Sequence, residues 1–437
     1  MFNDFNNIKT QKSSFNKNKP IKKAGVNDYK VKDFGPGDYQ LTKKDVGYIV
    51  YGACFLGSGG GASIGLSLLF MDKMINDTDV MYYVNPDTLE ANKNISFIAL
   101  LGSPDKMFEG FGQTAALNAF LEMDNYLTGS GQEPLGYLIP VEMGAINALI
   151  PFIISAQKGI AVINGDPCGR AMPELSMTLF NMNKLALNPV ILTSDTDEPG
   201  HFQKIIVQVK NAEDAENQAR RFAQSYNNIA GMACYPMLGS DLNCSILSAK
   251  NQTKFIQWTV GLAWNLGRNM IESGNYNDFL GFLDSFSLTC YKLFEGTITN
   301  KEERKISGFD VGKITVSNGN ETIFIYYKNE SLLAWNITKK CYVAMGPDSI
   351  SFLAIRNAQP LSNADINSDP EKNPKNIPLG TEIGIIGLCA FEKLKNTVLV
   401  DLFSSNIKET LAAFPEDHVP VPDRYIALPD LMSHYNG

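Results

Sequence analysis

The chain has 437 residues, 44% hydrophobic and 19% charged, with a formal net charge of −8. That length is enough for two or three domains with real cores. The acidic balance argues against a nucleic-acid binder, which needs a concentrated basic face. Seven scattered cysteines without a C-x-x-C pair suggest reduced thiols in the cytoplasm, and only three histidines argue against a histidine-built zinc site.

Residues 1–38, rich in Asn and Lys, are expected to form a disordered leader. They contain no apolar core of a signal peptide. The most apolar region, 136–165, is interrupted by Glu142, Asn147, Pro151, Gln157 and Lys158, so no membrane span is expected. An α/β domain is placed at 39–210 and a mainly β domain, with helices at its start, at 211–437.

The α/β domain opens with "LTKKDVGYIVYGACFLG", where Thr42 and Asp45 have capping-box spacing and Val46, Ile49, Val50 and Ala53 recur at helical spacing. The glycine run "CFLGSGGGASIG" (54–65) therefore lies between two helices. That context is wrong for a dinucleotide loop, and no GK[ST] marks a P-loop. It fits a helix-to-helix turn with positive φ, or the wall of a small-molecule pocket with N–H groups presented at the second helix.

Strands are then expected at 79–84, 95–101, 135–141, 160–165, 189–193 and 204–209. Helices are expected at 107–127 and 145–159. Such alternation implies a mostly parallel sheet covered by helices. Helices at 212–226, 253–273 and 276–293 lead into β structure from about 296, including a hairpin at Asn318-Gly319.

Ligands of parallel sheets sit at the carboxyl ends of the strands. After 95–101 stand Ser103, Asp105 and Glu109; after 135–141, Glu142 and Asn147; after 160–165, Asp166, Cys168, Arg170 and Glu174. Right-handed crossovers put Glu142 and Asp166 on one edge. Each residue also has a plain structural reading. Arg170 and Glu174 can pair at i, i+4, Glu142 can cap a helix, Asp166 can order a turn, and Cys168 reads as a buried thiol. His201 reads as a surface residue.

"LGSGGGASIG", "GSPDKMFEG", "EMGAIN" and "NGDPCGRAMPEL", with "KNESLLA" and "GPDSI" further on, resemble the S-methyl thiohydantoin desulfurase family, often encoded beside hydantoinase/oxoprolinase genes. The resemblance spans roughly 42–430. It departs at Ala62-Ser63, where the family has an acidic residue, and at Pro167-Cys168, where it has Gly and Met. It implies a hydrolase acting on a small cyclic amide or thiohydantoin-type ring, by activated water and addition–elimination.

In that chemistry Asp166, Glu142 and Glu174 are the expected base or metal carboxylates, and Arg170 the anchor for a substrate carboxylate. Gly59, Gly60 and Gly61 would face the developing anion. Ser103, Glu109, Asn147, Asn329, Glu330 and Asp348 complete the expected substrate site. A divalent metal held by carboxylates and a homo-oligomer are the accompanying expectations. The other reading, from a different class, is a non-catalytic subunit or ligand-binding partner of a hydantoinase/oxoprolinase-like protein.

Overall fold

The computed structural model describes residues 40–102, 106–107, 109–198, 200–247, 252–286, 288–367 and 377–435. The expected leader and Ser103 and Asp105 lie outside them. Helix α1 (Lys43–Leu56) starts on the expected capping box: Asp45 N–H donates to Thr42 Oγ1 and Thr42 N–H to Asp45 Oδ2. After the glycine turn comes α2 (Ile64–Met74), N-capped by Ser63.

The first sheet contains β1 (Gln40–Leu41), β2 (Met81–Val84), β3 (Asn94–Gly102), β4 (Leu135–Ile139), β5 (Ala161–Ile163), β7 (Val190–Thr193), β8 (Lys204–Val207) and β9 (Ile229–Leu238). A short strand, β6 (Gly165–Asp166), continues the line of β5. The sheet order is β1-β2-β5-β4-β3-β9-β7-β8. The centre, β2-β5-β4-β3, is parallel as strand–helix alternation predicts, and antiparallel strands extend it on both sides. Helices α3 (Ala115–Gly129), α4 (Ala145–Lys158) and α5 (Ala212–Ser225) connect and cover it.

Helix α3 begins later than the apolar spacing suggests. Gly110 and Gly112 both have positive φ, and the carboxylate of Asp195 accepts the N–H groups of Gly112, Thr114 and Ala115 at the helix start.

The first layer does not stop at residue 210. Strand β9 sits between β3 and β7, and β10 (Ile256–Gln257) pairs with β6. Helix α6 (Thr259–Ser273) crosses α1 with backbones almost touching. A Cβ on Gly52 would lie 1.8 Å from the Ala263 carbonyl oxygen, and one on Gly267 1.8 Å from that of Tyr48. Only glycine permits that approach. Helix α7 (Tyr276–Ser285) completes this body, so the architecture changes after residue 285.

The expected helix over 276–293 ends early because Cys290 begins a 17-residue strand, β11 (Cys290–Ile306), buried at its start and exposed towards its end. The second sheet also holds β12 (Phe309–Ser317), β13 (Thr322–Lys328), β14 (Glu330–Asn336), β15 (Cys341–Met345), β16 (Ser349–Ala354), β17 (Pro360–Leu361) and β20 (Glu382–Leu388). Between the last two lies a small parallel pair, β18 (Ile366–Asn367) with β19 (Ile377–Pro378). The large sheet is antiparallel, in the order β15-β14-β13-β12-β11-β20-β16-β17. The 318–321 loop closes the expected hairpin of β12 and β13, with Gly319 at φ 87°. Helix α8 (Thr397–Ala412) packs on this sheet, and α9 (Leu428–Tyr435) is the last described element. Among the described residues no helix is long and apolar enough to cross a membrane.

Candidate active site

The glycine turn joins the two layers. Ser58, Gly59, Gly61 and Ala62 all have positive φ, coiling the chain tightly between α1 and α2. Its carbonyls are then gripped from both sides. Ser331 N–H donates to Ser58 O (2.7 Å), Asn363 N–H to Gly59 O (2.6 Å), and Ile146 N–H, in the first turn of α4, to Gly61 O (3.0 Å). Gly60 N–H is engaged by Gly57 O (3.0 Å), so it is not available to an anion. Side chains would not fit here: a Cβ on Gly61 would lie 2.4 Å from the Gly144 Cα.

Beside this turn lie the carboxyl groups of Glu142 and Glu330, and the charge of Glu142 also reaches Asp166. Glu142 follows β4. Its Oε1 accepts from Asn147 Nδ2 (3.0 Å) and its Oε2 from Met172 N–H (2.9 Å), while Asn147 Oδ1 is fixed by Leu100 N–H (3.1 Å). Glu142 therefore caps no helix; it ties the strap after Arg170 to α4. Burial raises its pKa, partly offset by those two hydrogen bonds and by Arg170.

Asp166 ends β6 and is fully buried. Its Oδ2 orders the following turn by accepting the N–H groups of Cys168 (2.8 Å) and Gly169 (2.7 Å). Its Oδ1 has no hydrogen-bond partner, nor does the buried hydroxyl of Thr259, which lies close without reaching hydrogen-bond geometry. Burial, together with the charge of Glu142, pushes the Asp166 pKa up to about 7 against the opposing hydrogen bonds.

Glu330 opens β14, from the other layer, and is 4% exposed. Its carboxylate rests on Gly60, where a Cβ would meet Oε1 at 2.3 Å. Oε2 is buried without a partner. Burial, then the charge of Glu142, holds its pKa well above the ordinary range, with Arg170 pulling the other way. Both other acids, one from each layer, thus feel the charge of Glu142.

Arg170 corrects an expectation. It is 1% exposed, and all its nitrogens are committed: Nε donates to Ala171 O, Nη1 to Pro347 O and Asp348 O, and Nη2 to Ser331 O. Its guanidinium stacks over Phe403 at 5.1 Å. Four of its five N–H groups are taken by backbone carbonyls, which leaves no bidentate fork for a substrate carboxylate; it stitches the 170 strap to the second sheet. It does not pair with Glu174 either. Glu174 binds Lys328 Nζ (2.9 Å), whose ammonium also reaches Asn406 and Glu409. A carboxylate held by its own ammonium partner is poorly suited to act as base or metal ligand.

Other expected residues are structural. Both oxygens of Asp348 are occupied, by Ala390 N–H, Tyr425 hydroxyl and Leu428 N–H. Asn329, at φ 57°, uses its side chain to accept Asp310 N–H. Glu109 is exposed and pairs with Lys106. His201 is exposed beside Asp197.

Among the described residues no three His, Cys, Asp or Glu side chains are spaced to hold a metal ion. Glu142 accepts one N–H donor on each oxygen, and Asp166 and Glu330 offer one unpartnered oxygen each. That donor set does not fit the oxygen shell of a hard cation.

The S-Me-THD-like N-terminal domain matches residues 44–204, and the S-Me-THD-like C-terminal domain matches 210–371. The chain belongs to the S-Me-THD-like family. It is also similar to the crystal structure of a protein from Chromobacterium violaceum, with a TM-score of 0.73 at 22% identity, covering 90% of this chain and 100% of that one. That likeness shows a shared fold. No curated protein matches the chain.

Both departures from the family pattern have a local account in this S-Me-THD-like chain. After the glycine run, the start of α2 is met by an acid from the second half of the chain, Asp365, whose Oδ2 accepts Ile64 N–H (3.3 Å) while holding Ser362. At Pro167-Cys168, the Cys168 thiol is fully buried, donates to Val141 O (3.2 Å), and is held protonated by burial. It fills space and is no nucleophile.

Proposed function

We propose that the protein hydrolyses S-methyl thiohydantoin-type rings, replacing the methylthio group with oxygen from water and releasing methanethiol. The observation that carries this reading is that the charge of Glu142 reaches both Asp166 and Glu330, the second of which rests on the glycine turn. Two of these acids keep an unpartnered buried oxygen. A carboxyl near pKa 7 suits a base that must both take and return a proton at neutral pH.

The reaction needs one water. Its oxygen bonds to the ring carbon between the two nitrogens while Asp166 Oδ1 takes one of its protons. Glu330, held protonated, gives its proton to the ring nitrogen that was doubly bonded to that carbon. The C–S bond then breaks, methanethiolate leaves with the proton from Asp166, and the new hydroxyl returns its proton to Glu330 as the carbonyl forms. The products are a hydantoin and methanethiol, and both acids end as they began. Glu142, fixed by Asn147 and Met172, favours the protonated form of both through its charge.

The test is thiol release by purified protein from 5-substituted S-methyl thiohydantoins. Asp166→Asn should reduce kcat by about 10²–10⁴-fold with the fold retained. No thiol from any substituent, or full activity in Asp166→Asn, would overturn the reading.

A further inference from the structure

The carboxyl cluster holds more acids than the cations beside it can balance. Two positive groups reach Glu330 electrostatically, Arg170 and Lys328. The first directs four of its five N–H groups to backbone carbonyls, and the second is bound to Glu174, Asn406 and Glu409. Against them stand Glu142 and Glu330, from opposite layers, and Asp166 beside them. Glu330 Oε2 and Asp166 Oδ1 are the cluster's buried oxygens without a partner among the described residues. Buried acids in this state are relieved in one of two ways, by keeping a proton or by meeting a cation with N–H donors.

We infer that the site selects its ring by positive charge: the ligand presents a protonated or N–H-bearing N–C–N edge to the Glu142 and Glu330 carboxyls, and rings with an anionic substituent are excluded. This rests on the hydrolase reading and narrows it to rings with neutral or cationic substituents. An amidinium-type edge matches a carboxyl pair in shape and charge, and its arrival lets Glu330 release its proton. The same protonated edge draws electrons from the carbon that water attacks. An anionic substituent meets only carboxyl groups and carbonyl-bound cations, and nothing on either layer repays its desolvation.

Binding of three non-hydrolysable probes by calorimetry separates this from the hydrolase reading itself. The probes are 2-amino-2-imidazoline, a cyclic guanidine that is protonated at neutral pH; hydantoin, which is neutral; and hydantoin-5-acetate, which is anionic. The cyclic guanidine should bind about tenfold or more tighter than hydantoin, and hydantoin-5-acetate about tenfold or more weaker. Glu330→Gln should bring the guanidine and hydantoin to within about threefold of each other. Glu142→Gln is the second variant should the first not fold, with the same expected loss of preference. Equal binding of the neutral and anionic rings, or a guanidine preference that survives in the variants, would overturn the inference. Methanethiol release by a protein indifferent to ring charge sinks this inference and leaves the hydrolase reading standing. Charge selection without thiol release does the reverse.

Discussion

The carboxylate of Glu330 occupies the volume that a side chain on Gly60 would need, with Oε1 2.3 Å from the position of a Cβ there. Gly60 has ordinary backbone angles by comparison with Gly59 and Gly61, which have positive φ. Its requirement is one of space. Gly60→Ala should displace the Glu330 carboxylate, cost about 1–3 kcal/mol in stability, and lower thiol release. Urea unfolding and the turnover assay check the two effects separately; unchanged values for both would mean that Glu330 does not rest on this turn.

Arg170 is predicted to matter for folding. Arg170→Met keeps the length and the apolar stem but leaves the carbonyls of Ala171, Ser331, Pro347 and Asp348 with one donor fewer. The expected loss is about 3 kcal/mol or more, read as a lower urea midpoint with unchanged slope. Wild-type stability in this variant would show that the strap is held by other contacts.

Asp166 sets a pH dependence with a definite sign. Its carboxyl binds a proton up to about pH 7 in the fold, against an ordinary value of 3.8. The proton it retains therefore favours the folded state fully below the unfolded value, and that advantage is lost as pH rises toward about 7. Wild-type melting temperature should fall across that window more steeply than that of Asp166→Asn. The same ionisation supplies the base, so kcat/KM should rise with pH through about 7. Parallel melting curves for the two proteins would place the titration elsewhere.

Glu174→Gln tests the reassignment of that residue. Lys328 keeps Asn406 and Glu409 when Glu174 loses its charge. Turnover should stay within about twofold of wild type, while stability falls by about 1–2 kcal/mol. A loss of turnover by two orders of magnitude at unchanged stability would restore Glu174 to the chemistry.

Much of this was legible in the residues because it is local. Thr42 and Asp45 announced the start of α1, and alternating apolar runs announced the parallel centre. Consecutive crossovers brought Glu142 and Asp166 to one edge, near enough that Glu142's charge raises the Asp166 pKa. What lay hidden depends on separation. Ser58 meets Ser331, and Gly59 meets Asn363, across roughly 300 positions, a distance no periodicity spans. Thr259 looked like one more helical residue, since the pairing of Ile256 with Asp166 that brings it close involves only two residues. The guanidinium of Arg170 was misread for a related reason: from sequence an arginine beside acids is a ligand anchor, and the carbonyls that consume it come from a different sheet.

The insertion of β9 between β3 and β7 has a consequence for biosynthesis. A ribosome that has delivered only the first 210 residues has made seven strands of the first sheet without the one that joins them. The nascent segment then carries two open hydrogen-bonding edges and an α1 surface still awaiting α6. Such edges invite pairing with a neighbouring chain. A fragment cut at the apparent midpoint should therefore precipitate, and a chaperone's demand on this protein should be greatest just before residue 238 emerges.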